Sequence, residues 1–220
     1  GFFLTLTMSM IDFNTVFPSL ISTLIDSKII FGLLYSIMLG APRIFNIIFS
    51  HYMNSYAYRK KFLLIGIYLR SFSFLGMAAF TYYFGSSSPD LVIISFFFWV
   101  LLFSISGGFA SISYGDIIAK TVAREERGKL YASKQFAASL AAFIGGMVVQ
   151  NIFSGNQFNF PINYSITLFI GFLGLLIAAL AFWLIKEPPS ASKDEDLLSL
   201  KEYIKKVPGI LKRDKNFASF

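Results

Sequence analysis

Six long apolar segments constrain this chain more than any other feature. They cover, in order, Phe2–Leu24, Ile29–Tyr52, Phe62–Phe84, Leu91–Tyr114, Leu130–Phe153 and Tyr164–Ile185. The hydrocarbon core of a bilayer is roughly 30 Å thick, and a helix of about 20 apolar residues crosses it. Only 14% of the 220 residues are charged, whereas soluble domains keep about 25%. The sequence therefore predicts an all-α fold, a polytopic transmembrane helix bundle with six spans.

The basic residues predict how these spans are oriented. Sixteen of the nineteen Lys and Arg residues fall in or beside the links after the second and fourth spans and in the tail after the sixth. On the opposite side only Lys28 is basic, and Arg43 and Arg70 lie inside the second and third spans. Because cytoplasmic loops carry an excess of Lys and Arg, we expect the even-numbered links and the tail to be cytoplasmic. This distribution accounts for the net charge of +7 without a nucleic-acid partner.

The composition also excludes several kinds of chemistry. The chain has no cysteine and one histidine, which excludes disulfide scaffolds, iron–sulfur clusters, cysteine nucleophiles and thiolate zinc sites. A single histidine leaves little room for a histidine metal cluster or a Ser-His-Asp triad. The HExxH, GxSxG and phosphate-loop motifs are missing. We therefore expect a protein that is not an enzyme, with no cofactor and no metal.

The chain divides into three predicted parts. Residues 1–187 hold the six spans and end before Pro188 and Pro189, which cannot continue a helix. Residues 188–215 form a cytoplasmic loop with an amphipathic helix, in which four apolar residues recur at helical spacing: Leu197, Leu200, Ile204 and Val207. Residues 216–220 resemble the start of a seventh span. We expect the chain to be a piece of a longer protein, since it also begins inside an apolar run.

Two stripes of polar and small residues mark helix faces that contact protein or water, because a bilayer interior penalises polar groups. Both stripes follow steps of three and four residues, which place their members on one face of a helix. The stripe of the first span contains Thr5, Ser9, Asp12, Thr15, Ser19, Ser22 and Asp26. The stripe of the second span contains Gly32, Ser36, Gly40, Arg43, Asn46 and Ser50, and its small residues allow close approach of another helix.

Opposite charges lie at similar depth in these two spans. Asp12 is about ten residues from the cytoplasmic end of the first span and Arg43 about nine from that of the second, so both lie roughly 13–15 Å deep. We therefore expect the two side chains to pair or to share a water-filled cavity, with Asn14 and Asn46 nearby. A buried ion pair that only fixes helix packing is the alternative, and the sequence leaves it open. For Arg70, snorkelling to the headgroups and inward pairing are both open.

The arrangement of spans and loops resembles the N-terminal half of a major facilitator superfamily transporter. The segment Asp12–Pro18 is similar to members whose first span carries an acidic residue before a Thr-Val-x-Pro run. The stretch Ser106–Lys120, followed by Glu126–Lys129, is similar to the region of the fourth and fifth spans in a prokaryotic branch of that family. The resemblance extends over essentially the whole chain.

Two motifs depart from the family pattern. The loop Ser50–Lys61 keeps only the basic end of the usual Gly-x-x-x-Asp-Arg-x-Gly-Arg-Arg motif, so the aspartate that would act in gating is missing. Ala141–Gly146 aligns with the antiporter motif Gly-Pro-x-x-Gly-Gly but lacks its proline. These motifs do not support proton antiport, which leaves Asp12 as the best candidate to bind a proton.

The resemblance implies secondary active transport of a small solute by alternating access in a bacterial inner membrane. It implies that this half packs against a missing C-terminal half of six helices, with the solute bound near the midplane and the first and fourth spans lining the path. Asp12, Asn14, Arg43 and Asn46 are the candidate solute- or ion-binding residues. Asp116, Lys120 and Arg127 are candidates for a cytoplasmic gate of ion pairs.

Two alternatives stay open at this point. The protein as a whole can be a non-transporting membrane receptor or scaffold built on the same bundle. The charged residues near Asp116 can be an ordinary solvated loop with a helix-surface pair, which contributes under about 0.5 kcal/mol.

Overall fold

The structure is a computed structural model that describes residues 5–8, 15–53, 56–154 and 157–189. Within these ranges it contains helices and no strand, which confirms the all-α polytopic bundle. The helices are α1 (Val16–Leu24), α2 (Lys28–Met53), α3 (Lys60–Phe84), α4 (Pro89–Thr121), α5 (Arg127–Ser154) and α6 (Ile162–Trp183). Residues 5–8 are also helical.

Five of these helices, α2 to α6, are long and apolar enough to cross a membrane. Each coincides with one of the last five predicted spans. The first predicted span is described only at residues 5–8 and 15–24, so the described part of the chain supports five spans rather than the expected six. The predicted amphipathic helix of the loop and the start of a seventh span lie at residues 190–220, outside the described residues.

Helix α4 is longer than the sequence predicts. It continues past the expected end at Tyr114 to Thr121 and has 33 residues, which corresponds to about 50 Å at 1.5 Å per residue. Residues beyond the hydrocarbon core keep helical geometry because polar side chains support the last turn. The Lys120 ammonium pairs with Asp116 one turn earlier, and Arg127 donates to the Ala119 and Val122 carbonyl oxygens.

Helix α4 lies at the centre of the described bundle. It packs along α2 on one side and α3 on the other and touches α1, while α3 packs along α6. The aromatic pairs Phe74–Phe103 and Phe49–Phe109 join α4 to α3 and α2, at centroid distances of 5.4 and 5.1 Å. Apolar side chains from α1 to α4 and α6 form one buried core between these helices. The side chains of α4 are thereby held from several directions.

Glycine permits a close contact between the backbones of α3 and α4. A Cβ atom built on Gly66 would lie 2.7 Å from the Cβ of Ala110 and 2.9 Å from the Ser106 carbonyl oxygen. Real Cβ atoms do not approach backbone atoms so closely, and a side chain here would push the helices apart. Small residues have this role in membrane helices because lipid supplies no hydrophobic force between them.

Helices α2 and α5 are the least buried of the five long helices. A Cβ atom on Gly32 or Gly40 of α2, or on Gly146 of α5, would meet nothing within 4 Å among the described residues. The small residues of α2 were expected to allow another helix to approach. Among the described residues no neighbour lies against Gly32 and Gly40, so this part of the α2 stripe is available to another segment.

We define the basic end of the bundle as the end that holds residues 56–59, 122–126 and 184–189. These residues belong to the α2–α3 link, the α4–α5 link and the segment that follows α6.

The Gly66 contact predicts a difference between two alanine substitutions. Gly66→Ala should destabilise the protein by about 1–3 kcal/mol, because overpacking forces the α3 and α4 backbones apart. Gly32→Ala adds the same methyl group where nothing lies within 4 Å, and it should leave the melting temperature of the purified protein unchanged or slightly higher. Equal melting temperatures for the two variants would contradict the close packing of α3 on α4.

Candidate functional site

The Glu187 carboxylate caps the first turn of α3 at the basic end. Its two oxygens accept hydrogen bonds from the backbone N–H of Arg59, at 2.8 and 3.0 Å, and one of them accepts from the N–H of Lys60 at 2.7 Å. The first N–H groups of a helix have no partner within the helix, and the positive end of its dipole attracts an anion. Only 2% of the Glu187 side chain is exposed. A residue 128 positions away thus replaces the usual local cap.

The Lys60 side chain makes the reciprocal contact. Its Nζ donates to the carbonyl oxygens of Trp183 and Ile185, the latter at 2.7 Å. These carbonyls lie where α6 ends, and the last carbonyls of a helix also lack intrahelical partners. The start of α3 and the end of α6 therefore satisfy each other's free backbone groups.

Asp116 and Lys120 of α4 join this contact to form a charged cluster. Arg59 Nη1 lies 3.1 Å from an Asp116 carboxylate oxygen, and Lys120 Nζ contacts both Asp116 and Glu187, the latter at 3.1 Å. The Asp116 and Lys120 side chains are 21% and 14% exposed, so water screens these pairs only in part. We call Arg59, Asp116, Lys120 and Glu187 the charged cluster. It connects α3, α4 and the segment after α6.

The surroundings of Glu187 lower its pKa. Burial acts first and raises the pKa, because it disfavours the charged carboxylate. The backbone N–H groups of Arg59 and Lys60 and the ammonium of Lys120 favour the charged form, and together they hold the pKa below its usual value. Glu187 is therefore ionised at neutral pH.

The structure brings together two of the three predicted gate residues, since Asp116 and Lys120 form an ion pair. Arg127 instead donates hydrogen bonds to the carbonyl oxygens of Ala119 and Val122, at 2.9 and 3.2 Å, and caps the end of α4. Arg59 and Glu187 were not among the predicted site residues. The sequence offers little to find them, since their contact spans 128 positions and Glu187 is notable only for preceding two prolines.

A second group of polar side chains lies along α2. With its side-chain nitrogen turned toward the acceptors, Asn46 donates to the carbonyl oxygens of Pro42, at 3.1 Å, and Gly108, at 2.7 Å. It therefore links α2 to α4 and satisfies its own polar atoms in the bundle. Arg43 is exposed, and its Nη1 donates to the Leu39 carbonyl oxygen one turn earlier.

Asp12 and Asn14, the other two candidate binding residues, lie outside the described residues. The pairing of Asp12 with Arg43 stays a prediction. No group of three or more His, Asp or Glu side chains suited to a metal ion occurs in the part of the chain that the structure describes.

A third polar group, the guanidinium of Arg70, lies between α3 and α4. Its central carbon is 4.2 Å from the centroid of the Phe103 ring. A Cβ atom on Gly107 would come within 3.4 Å of the same carbon. Gly107 and Gly108 thus face different neighbours, the first Arg70 of α3 and the second Asn46 of α2.

The family follows from comparison with known proteins. The family model of the Major Facilitator Superfamily matches residues 1–218, almost the whole chain. The chain belongs to the major facilitator superfamily. No curated protein and no solved structure matches it.

Membership of the major facilitator superfamily fixes the broad role of the bundle. Members are membrane transporters rather than enzymes, and the helices α2 to α6 have the length and composition of membrane spans. The chain is therefore an integral membrane protein of a family that acts in membrane transport.

The contacts of Glu187 predict a pH-dependent stability difference. The pKa of Glu187 is lower in the folded protein than the ordinary value of about 4.3. The charged carboxylate therefore stabilises the fold, and this stabilisation is complete above the ordinary pKa. It is lost as the pH falls through the pKa of the folded protein. Glu187→Gln, which cannot ionise, should melt at a lower temperature than the parent protein at pH 7, and the gap should close as the pH falls below about 4.

Glu125→Gln is the matched control, since Glu125 is exposed in the α4–α5 link. It should melt like the parent protein at every pH. A gap for Glu187→Gln that stays constant between pH 7 and pH 3 would contradict the charged role of this carboxylate.

Proposed function

We propose that this chain forms one half of a secondary active transporter that moves a small solute by alternating access. The observation that supports this most directly is the charged cluster, in which ion pairs join α3, α4 and the segment after α6 at one end of the bundle. Ion pairs at the mouth of a pathway can close it and can separate without loss of the fold. A rigid scaffold has no need of such a reversible closure.

The proposed transporter requires a second half outside this chain. The least buried long helices, α2 and α5, carry small residues with open space around them: Gly32, Gly40 and Gly146. Such faces suit close packing of further helices. In transporters built from two repeats, the solute binds near the midplane between the repeats, which then rock against each other. We propose that α2 and α5 face this second half.

The proposed solute-contacting residues are Asp12, Asn14, Arg43 and Asn46. Arg43 is exposed in the described bundle. Among the described residues its guanidinium donates one hydrogen bond, to a backbone carbonyl oxygen of its own helix. A guanidinium in a membrane span normally faces the bundle interior or water, because contact with lipid is costly. Asn46 lies one turn from Arg43 and contacts α4, which brings the polar stripe of α2 beside the proposed path.

The charged cluster, with Arg127 beside it, is the proposed cytoplasmic gate. Alternating access needs two states separated by a few kcal/mol, so that both are populated in turn. Partly buried ion pairs and charge-assisted hydrogen bonds contribute roughly 1–3 kcal/mol each, which is the right order to hold one state closed. Arg127 would keep the end of α4 intact while the pairs separate.

The proposed orientation places the basic end in the cytoplasm of a prokaryotic cell. Its support is the distribution of Lys and Arg in the sequence, where sixteen fall in or beside the links after the second and fourth spans and in the tail after the sixth. The side from which a membrane-impermeant maleimide reaches a Glu125→Cys variant tests this orientation.

The gate predicts that loss of one acidic charge opens the basic end. Ser113 is fully buried one turn before Asp116 and contacts the sulfur of Met53. A Ser113→Cys variant of the intact protein should react slowly with a water-soluble maleimide, and added Asp116→Asn should raise that rate severalfold, while membrane insertion stays normal. The chain contains no cysteine, so this label is specific within it.

Glu125→Gln in the same Ser113→Cys background is the control and should leave the rate unchanged. Equal rates for the Asp116→Asn protein and its parent would mean that the cluster fixes the fold rather than gates a path. If the intact protein showed no gradient-driven uptake of any solute, a non-transporting receptor or scaffold would be favoured.

A further inference from the structure

Arg70 has more hydrogen-bond capacity than its described surroundings use. A guanidinium carries five N–H donors and is charged at all physiological pH values. Its Nε is buried and has no hydrogen-bond partner among the described residues, and the side chain contacts the Phe103 ring and Gly107. The residue as a whole is partly buried.

The position of Arg70 makes these free donors costly. It lies ten residues into α3, about 15 Å from the start of the helix at 1.5 Å per residue. Instead of extending to the headgroups, the guanidinium packs over the Phe103 ring. A cation–π contact stabilises the charge but satisfies none of the in-plane N–H donors. Charged side chains in membrane spans are rare, and they mark the path of a substrate or ion.

A second cation lies along the same face of α4. Residues Phe103, Gly107, Ser111 and Tyr114 follow steps of four, four and three, so they form one helix face. Lys134 Nζ of α5 lies 4.7 Å from the centroid of the Tyr114 ring, and Gly107 and Tyr114 are about 10 Å apart along the axis. We call these four residues the α4 face. Arg70 and Lys134 contact it from α3 and α5.

Acidic residues that could neutralise these cations are not found beside them in the described helices. Asp90 lies in the first turn of α4, at the other end of the bundle, and Asp116 is engaged by Arg59 and Lys120. The only exposed polar side chain on the α4 face is Ser111, whose hydroxyl donates to the Gly108 carbonyl oxygen. The charged side chains that contact the α4 face in the described part of the chain are therefore both cations.

We propose that the α4 face, with Arg70 and Lys134, binds an oxyanion group of the transported solute, either a carboxylate or a phosphate. This inference rests on the proposed transport function and adds the substrate class. The planar fork of Arg70 matches two oxygens of such a group, and Lys134 attracts it as a point charge. A neutral sugar would leave both charges uncompensated, and a cation would be repelled.

Melting temperatures of the purified intact protein test this inference. The oxyanion probes are succinate, citrate and glycerol 3-phosphate, and the comparison probes are glucose and choline, all at one ionic strength set with sodium chloride. At least one oxyanion probe should raise the melting temperature and should be taken up by proteoliposomes along a gradient. Arg70→Gln should weaken its apparent affinity roughly ten- to a hundredfold, and Arg70→Lys should restore part of it.

Arg124→Gln is the matched control, because Arg124 is exposed in the α4–α5 link. It should bind the probe like the parent protein. Lys134→Gln should weaken binding less than Arg70→Gln, since it removes one charge and no bidentate contact. The relative affinities for the carboxylates and the phosphate ester distinguish the two kinds of oxyanion.

Three results would overturn the inference. The first is stabilisation and uptake of glucose or choline with none for the oxyanions, which would leave the transport function standing. The second is an absence of binding by all three oxyanions. The third is loss of stability in Arg70→Gln that is repaired in the double variant Asp12→Asn/Arg70→Gln, since this would show that Arg70 pairs with Asp12. Arg70-dependent binding without any uptake would instead contradict the proposed transport.

Discussion

At Gly66 the helices α3 and α4 come so close that a methyl group does not fit without movement of the backbones, and at Gly108 a methyl group would displace the Asn46 side chain. A Cβ atom would lie 2.7 Å from Ala110 at the first position and 2.9 Å from the Asn46 side-chain amide at the second. Because lipid gives membrane helices no hydrophobic reason to associate, such close packing and its hydrogen bonds hold the bundle together. The polar contacts of α4 depend on it. Arg70 is held against Gly107 and Asn46 against Gly108, so the shape of α4 fixes the depth of both polar groups.

The charged cluster completes this arrangement at the basic end. Helix ends leave backbone groups without partners, and here the start of α3 and the end of α6 are satisfied by Glu187 and Lys60. Asp116 and Lys120 bring α4 into the same contact. The three elements share these charges in addition to apolar contacts, such as that of Tyr114 of α4 with Phe182 of α6. Water can replace the ion pairs when they separate, whereas it cannot replace the close packing of α3 on α4.

The sequence predicts more of the fold than of the candidate site. Span length and apolar composition are local properties, so the five long helices lie where the apolar segments predict them. The extension of α4 to Thr121 was missed because it depends on Asp116, Lys120 and Arg127 rather than on apolar length. The sequence predicts the pairing of Asp116 with Lys120, because they lie one turn apart on a helix. Glu187 contacts Arg59 across 128 positions, and such a contact leaves no periodic signal in the sequence. The stripe of α2 predicted a close neighbour along its length; the described residues leave Gly32 and Gly40 open, and Asn46 contacts α4 at Gly108.

The proposed transport requires an aqueous path along α4, and two cysteines placed on this helix can detect it. Ser111 lies on the α4 face and Leu101 is an exposed apolar residue of the same helix. In the intact protein in membranes, Ser111→Cys should react with a water-soluble maleimide added from either side, because alternating access opens the path to both sides in turn. Leu101→Cys should stay unreactive, since lipid keeps its thiol protonated. If Ser111→Cys reacts from one side only or from neither side, while Glu125→Cys reacts under the same conditions, α4 does not line a path of alternating access.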